Sequence, residues 1–285
     1  MLIGSTRAVL FVACILIAAF SVTAAPVTLF STGNPDGKIA TLSRLASAGK
    51  LETETADDFV LGTQASITGA TFTGLLVGGA TPANIKNIEI ELYRVFPLDS
   101  VNPPSGRVLT RVNSPSDNNF AAFDGSLGDL SFLTTVLNPS FTAANSVVNG
   151  INALPNQFTG GEGAVTGQEV QITVTFNTPF LVGAADHDFF RPEVDLGNAG
   201  DFLWLSAPKP IVSPGTPFTA DLQSWIRNDG PGTLAPDWER IGTDVTHQGP
   251  FNAAFSLIGT PVPEPSACFL FGAGLLAVAI RLKQQ

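Results

Sequence analysis

The chain has 285 residues, of which 44% are apolar and only 13% charged, with 28 Gly and 21 Pro, a composition short of the polar material that long solvated helices need. With Arg7, Arg281, Lys283 and Glu264 near the termini set aside, 11 cations face 23 acids, and this net charge of −12 argues against nucleic acid or anionic lipid as partners. Cys14 and Cys268 both lie in apolar terminal segments, so the body between them has neither a disulfide framework nor a thiolate metal site.

The chain opens with Arg7, an uninterrupted apolar run over 8–20, and the small residues Val22-Thr23-Ala24. That order reads as a signal peptide cleaved between Ala24 and Ala25. Residues 25–50 are small and polar, with Ser-Thr-Gly-Asn-Pro-Asp-Gly as a loop, and read as a partly ordered lead-in with a weak helical turn over 39–48. The folded body is expected from 51 to 260 as one domain.

Within the body, alternation predicts strands over 67–77, 88–93 and 170–176, where Ile88, Ile90 and Leu92 share one face. The stretch 97–117 is Pro-rich and irregular, and 141–150 reads as a short helix that Gly150 ends. Further strands are expected over 188–194, 202–206, 222–226 and 253–259, separated by turns at Pro208, Pro210, Pro214, Pro217, Pro231 and Pro236. Short strands at this spacing predict an all-β fold, a single antiparallel β-sandwich of jelly-roll type.

The last segment, 261–285, is ordered as a motif over 262–266 (Val-Pro-Glu-Pro-Ser), an apolar run over 267–280 and a basic tail over 281–285 carrying Arg281 and Lys283. Pro263 and Pro265 stop a helix from running backwards, so Glu264 is presented on extended chain. A short terminal apolar helix closed by cations is a membrane hold with its basic end inside. This arrangement resembles the PEP-CTERM sorting signal of bacterial surface proteins. The resemblance implies recognition of Pro263, Glu264 and Pro265, an exosortase-type processing enzyme as partner, and association with exopolysaccharide or biofilm. It also implies localisation at the cell envelope or outside it, with transient or permanent anchoring by the transmembrane helix. The segments Glu54–Phe59, with their Ala-Asp-Asp-Phe, together with 91–96, 111–117 and 202–208, are similar to those of an uncharacterised group of such proteins.

Enzymatic chemistry has little to build on. Only His187 and His247 are present, and neither a nucleophile elbow nor a phosphate-cradling loop occurs. The acids Asp186, Asp188, Glu193, Asp195 and Asp201 suggest Ca2+, with Asp186, Asp188 and Asp195 as candidate ligands, but they do not follow a calcium-loop spacing, and a solvated strand edge is the preferred reading. No cofactor is otherwise expected. Among the three tryptophans, Trp204 alternates inward, whereas Trp225 and Trp238 are candidates for stacking on sugar rings, Trp238 being the one expected at the surface. The reading is therefore a non-catalytic, exported surface or matrix protein. A specific carbohydrate-binding module, with or without Ca2+, and, third, a secreted hydrolase stand as alternatives.

Overall fold

The computed structural model describes residues 25–47, 49–101, 108, 111–148, 160–208, 223–229 and 235–262. The expected signal peptide and everything from Pro263 onward, including the apolar run 267–280, lie outside these residues. Among them, no helix is long and apolar enough to cross a membrane.

Fifteen strands make up the described body: β1 (Val27–Ser31), β2 (Ile39–Leu42), β3 (Glu52–Val60), β4 (Ala65–Val77), β5 (Asn87–Val95), β6 (Pro115–Asp124), β7 (Leu130–Ala143), β8 (Asn145–Val147), β9 (Val165–Val182), β10 (His187–Asp195), β11 (Asp201–Ala207), β12 (Trp225–Asp229), β13 (Glu239–Arg240), β14 (Asn252–Ala253) and β15 (Phe255–Pro261). They form the expected all-β sandwich of two sheets, with antiparallel pairing throughout except between β2 and β8. One sheet has the order β13-β12-β3-β10-β5-β6. The other is organised by the long β4. Its residues 65–72 pair with β15 and 74–77 with β11, while β9 runs along the opposite edge and carries β7 outside it. At the switch from β15 to β11 stands Gly74, where a Cβ would meet the Phe202 ring and the Leu203 carbonyl.

Strand alternation sends one side chain in two into the space between the sheets. From the six-stranded sheet come Phe59, Ile88, Ile90, Leu92, Phe190 and Val194. They meet Ile67, Phe72, Val170, Ile172, Val174, Phe202, Trp204, Phe255 and Leu257 in one continuous core. Phe190 stacks on Phe255 at 5.2 Å, and Phe72 meets Phe202 edge-on at 5.7 Å. Rings in such contact contribute about 0.5–1.5 kcal/mol beyond their area burial.

Two expectations need correction. Residues 25–50 are not a loose lead-in: β1 pairs with β15, and β2 is wholly buried against β11 through Leu42 opposite Leu203. A short apolar run such as Ile39–Leu42 takes whichever structure its neighbours offer, and the open edge of β11 makes it a strand. The helix expected over 141–150 is likewise absent from its described part, 141–148. There β7 continues to Ala143 opposite Val165, and β8 follows. β3 and β7, for which the sequence predicts no strand, carry no clean apolar alternation, yet they are central and long, respectively.

Candidate functional site

The outer face of the six-stranded sheet holds most of the chemistry-bearing side chains. Pairing places Phe189 opposite Tyr93, Arg191 opposite Glu91, and Arg227 opposite Glu54, which puts these residues on the side away from the main core. Most of them are nonetheless buried, because residues 111–117 and 235–238 lie over this face. Trp238 donates through Nε1 to the Ser116 carbonyl at 3.0 Å, and Arg227 reaches the carbonyls of Asp117 at 3.1 Å and Pro236 at 3.4 Å.

Two arginines organise what lies beneath. Arg227 grips Glu54 with both Nε (2.6 Å) and Nη2 (3.1 Å), and its guanidinium sits 4.5 Å above the Trp238 ring. Arg191 pairs with Glu193 and with Glu91 at 2.6 Å, and Glu52 and Glu89 stand at 3.5 and 3.8 Å. Tyr93 ties the two together, donating to Glu91 and accepting from Arg227 at 3.2 Å. Five glutamates thus share two cations. Burial raises the Glu54 carboxyl, but Arg227 and Arg191 outweigh it and hold the group below its ordinary value. Glu193, whose burial exceeds what Arg191 returns, is pushed well up, and Glu89 rises to about 7 for the same reason. Beside this network, Arg111 pairs with Asp117 and, at 3.3 Å, with Asp237.

The tryptophans expected to stack on sugars belong to this layer. Trp225 and Trp238 are both 0% exposed, packed with Ala56, Tyr93 and Phe189, while Trp204 is in the main core and donates to the Ala254 carbonyl at 3.0 Å. A ring with no exposed face cannot stack on a sugar, so the surface placement of Trp238, and the glycan role given to Trp225 and Trp238, are corrected. The polar neighbours Asp237, Glu239 and Arg240 signalled exposure only because their partners were invisible: Asp237 meets Arg111, and Arg240 holds Asp244 at 2.8 Å.

The acidic candidates for Ca2+ are dispersed. Asp186 lies exposed in the turn before β10, and Asp188 is near its start, whereas Asp195 is its last residue. At about 3.3 Å per residue, Asp188 and Asp195 are roughly 23 Å apart. Asp195 accepts from the Gly197 amide at 2.7 Å, and Asp201 is shared by Arg44 (3.0 Å) and Lys50 (2.9 Å). Between Asp186 and Asp188, His187 pairs with Asp58 at 2.8 Å; burial lowers it to about 4, so it is neutral near pH 7. The three aspartates do not converge, and the described residues hold no cluster of three or more His, Cys, Asp or Glu able to take a metal. Arg191 and Arg227, the centres of the actual network, carry no sequence motif. The signal that locates them is strand register, which sets Arg191 opposite Glu91 and Arg227 opposite Glu54.

The chain leaves the sandwich at one end. In β15, Gly259 lies opposite Val27 and Pro261 opposite Ala65, and the Val262 amide then donates to the Gln64 carbonyl at 2.8 Å. Ala25 and Pro26 precede β1 at this same end. The sorting triplet Pro263-Glu264-Pro265 thus follows directly in sequence on Val262, the last described residue, which is hydrogen-bonded to the sandwich.

Residues 261–284 match the model of the PEP-CTERM protein-sorting motif, whose first residue is the last of β15. Neither the curated proteins nor the solved structures contain a match to the chain. The match covers the tail and not the sandwich, so it speaks for handling of the chain and leaves the body's own chemistry to the geometry above. The chain carries a PEP-CTERM sorting signal, which implies export to the cell envelope and processing by an exosortase at the membrane.

Proposed function

We propose that this is a non-catalytic surface protein whose sandwich is delivered by its tail into an exopolysaccharide or biofilm matrix. On this reading the signal peptide is removed after Ala24, and the run 267–280 is a temporary hold in the membrane rather than a lasting anchor. The observation that carries the reading is the seamless junction at Val262. Hydrogen bonding of the described fold reaches Val262, the residue before the triplet, so a processing enzyme acting at Pro263–Pro265 works close against the body, and the body close against the membrane.

A non-catalytic body is supported by how its carboxylates are used. Glu54, Glu91, Glu193, Asp117 and Asp237 are committed to arginines beneath a covering segment. A glycosidase needs two carboxyl groups flanking a bound sugar in a cleft. A carbohydrate-binding module of the stacking type loses its support with the burial of Trp225 and Trp238.

Replacing Glu264 with Ala tests the sorting half of the proposal, since that residue is the centre of the triplet and follows β15, the last described strand. The variant should accumulate in the inner membrane with its tail attached, while heat denaturation of the body is unchanged. Normal release of the Glu264→Ala protein would refute a role for this carboxylate in recognition.

A further inference from the structure

The nine-stranded sheet ends in β7, which among the described residues pairs with β9 on one side and with no strand on the other. In an antiparallel ladder alternate residues turn their N–H and C=O groups away from the partner, so the far side of β7 is a row of open donors and acceptors. Soluble proteins ordinarily guard such an edge with Lys, an inward charge, a bulge or Pro. Here the run 130–143 contains no charged residue, and neither does the neighbouring stretch 170–182. The irregularities come late: the register shifts after Val136, beside Pro139, which leaves Leu130–Val136 as a regular, uncharged length of strand.

Its side chains are unusual for an edge. Phe132, Thr134 and Val136 lie opposite Val174, Ile172 and Val170, all three buried in the core, so they stand on the core side of the sheet. Phe132 and Val136 are nevertheless 38% and 42% exposed. Leu130 lies in the core between the sheets, and from there to Leu137 the side chains of β7 are exposed except for the half-buried Thr134. Leu133 and Leu137 add 68% and 49% exposure.

We propose that β7 pairs with β7 of a second copy of this chain, antiparallel, about a two-fold axis at Thr134. Three observations select a second copy. The strand is self-complementary about Thr134: the two-fold sets Phe132 opposite Val136 twice, an aromatic against a β-branched residue, which is a favourable cross-strand pair. Charge points the same way. A body of net charge −12 repels its own kind across most of its surface, and β7 is a stretch where two copies meet without bringing like charges together, while offering nothing for a charged partner to read. The pairing also closes on itself, because each copy's open edge is consumed by the other and the assembly stops at two.

The test uses the full chain in mild detergent, with Cys14→Ser and Cys268→Ser as background. Thr134→Cys should give an oxidised, disulfide-linked product of twice the mass of the single chain, whereas Thr173→Cys, one strand inward, should give none. Sedimentation should show a concentration-dependent doubling of mass that Val136→Lys shifts at least tenfold toward monomer without altering the circular dichroism spectrum. Should Val136→Lys lose its fold, the cysteine pair reads the same geometry in an almost native strand. A monomer at all concentrations, equal cross-linking from both cysteines, or a cross-link to a different protein would each overturn the proposal.

Discussion

The outer face of the six-stranded sheet and the β7 edge of the nine-stranded sheet exchange the usual roles of polar and apolar residues. The first is rich in Glu and Arg and is largely buried; the second is uncharged, apolar in part, and exposed. The difference lies in what covers each. Residues 111–117 and 235–238 lie over the charged face and force most carboxylates there to find a cation, whereas along β7 Phe132, Leu133, Val136 and Leu137 stay exposed. Side-chain polarity alone therefore reports neither surface correctly; cover decides.

That comparison is open to attack from both sides, and the largest effect is expected at Arg191. Its replacement by Met leaves Glu91, Glu193 and their neighbours buried without a cation, which costs about 3–5 kcal/mol. At roughly 2–4 °C per kcal/mol, thermal denaturation at pH 7.5 should fall by ten degrees or so. The deficit should shrink at pH 5, where the glutamates take up protons. A variant as stable as the parent at pH 7.5 would mean that the face is solvated after all.

A smaller effect is expected at Glu239. Burial, helped by the charge of Asp244, raises it to about 8. Because the folded state binds this proton more tightly than the unfolded state, the stability tied to it is complete below about pH 4.5 and is lost as pH rises to about 8. Glu239→Gln should therefore flatten the fall in melting temperature between pH 6 and 8.5 relative to the parent. His187, lowered to about 4, works in the opposite sense, losing stability as pH falls below its ordinary value, and it cancels in the comparison of the two proteins. An unchanged pH profile would place the Glu239 carboxylate in water.

Least is expected at Leu133. Its replacement by Lys adds a charge to an exposed edge and should change stability by no more than about 0.5 kcal/mol. A large loss in the isolated monomer would show that β7 is covered within its own chain.

Much of the fold was legible in the sequence wherever a strand buries one face and wets the other. β5 and the middle of β9 alternate cleanly, and their apolar residues are the core residues. Legibility failed for two physical reasons. β3, with Glu54, Asp57 and Asp58, is buried on both sides by pairing partners and covering segments that no local pattern reveals. β2 and the end of β7 are strands because a long neighbour offers an open edge, which is a non-local cause. The same holds for the site. The sorting signal is local, a triplet followed by a run and two cations, and was readable at once. Trp238 was misplaced because the residues that bury it, such as Ser116 and Arg227, are distant in sequence.

The central claim is that the chain is exported and handled at Pro263–Pro265, just after β15 in sequence. Intact mass of the protein recovered from the envelope or medium of the producing cell tests it most directly. The account predicts a species that begins at Ala25 and lacks the apolar run 267–280 and the basic tail, with the whole sandwich retained. Recovery of a species that still carries residues 267–285 would contradict it and leave a permanently anchored protein.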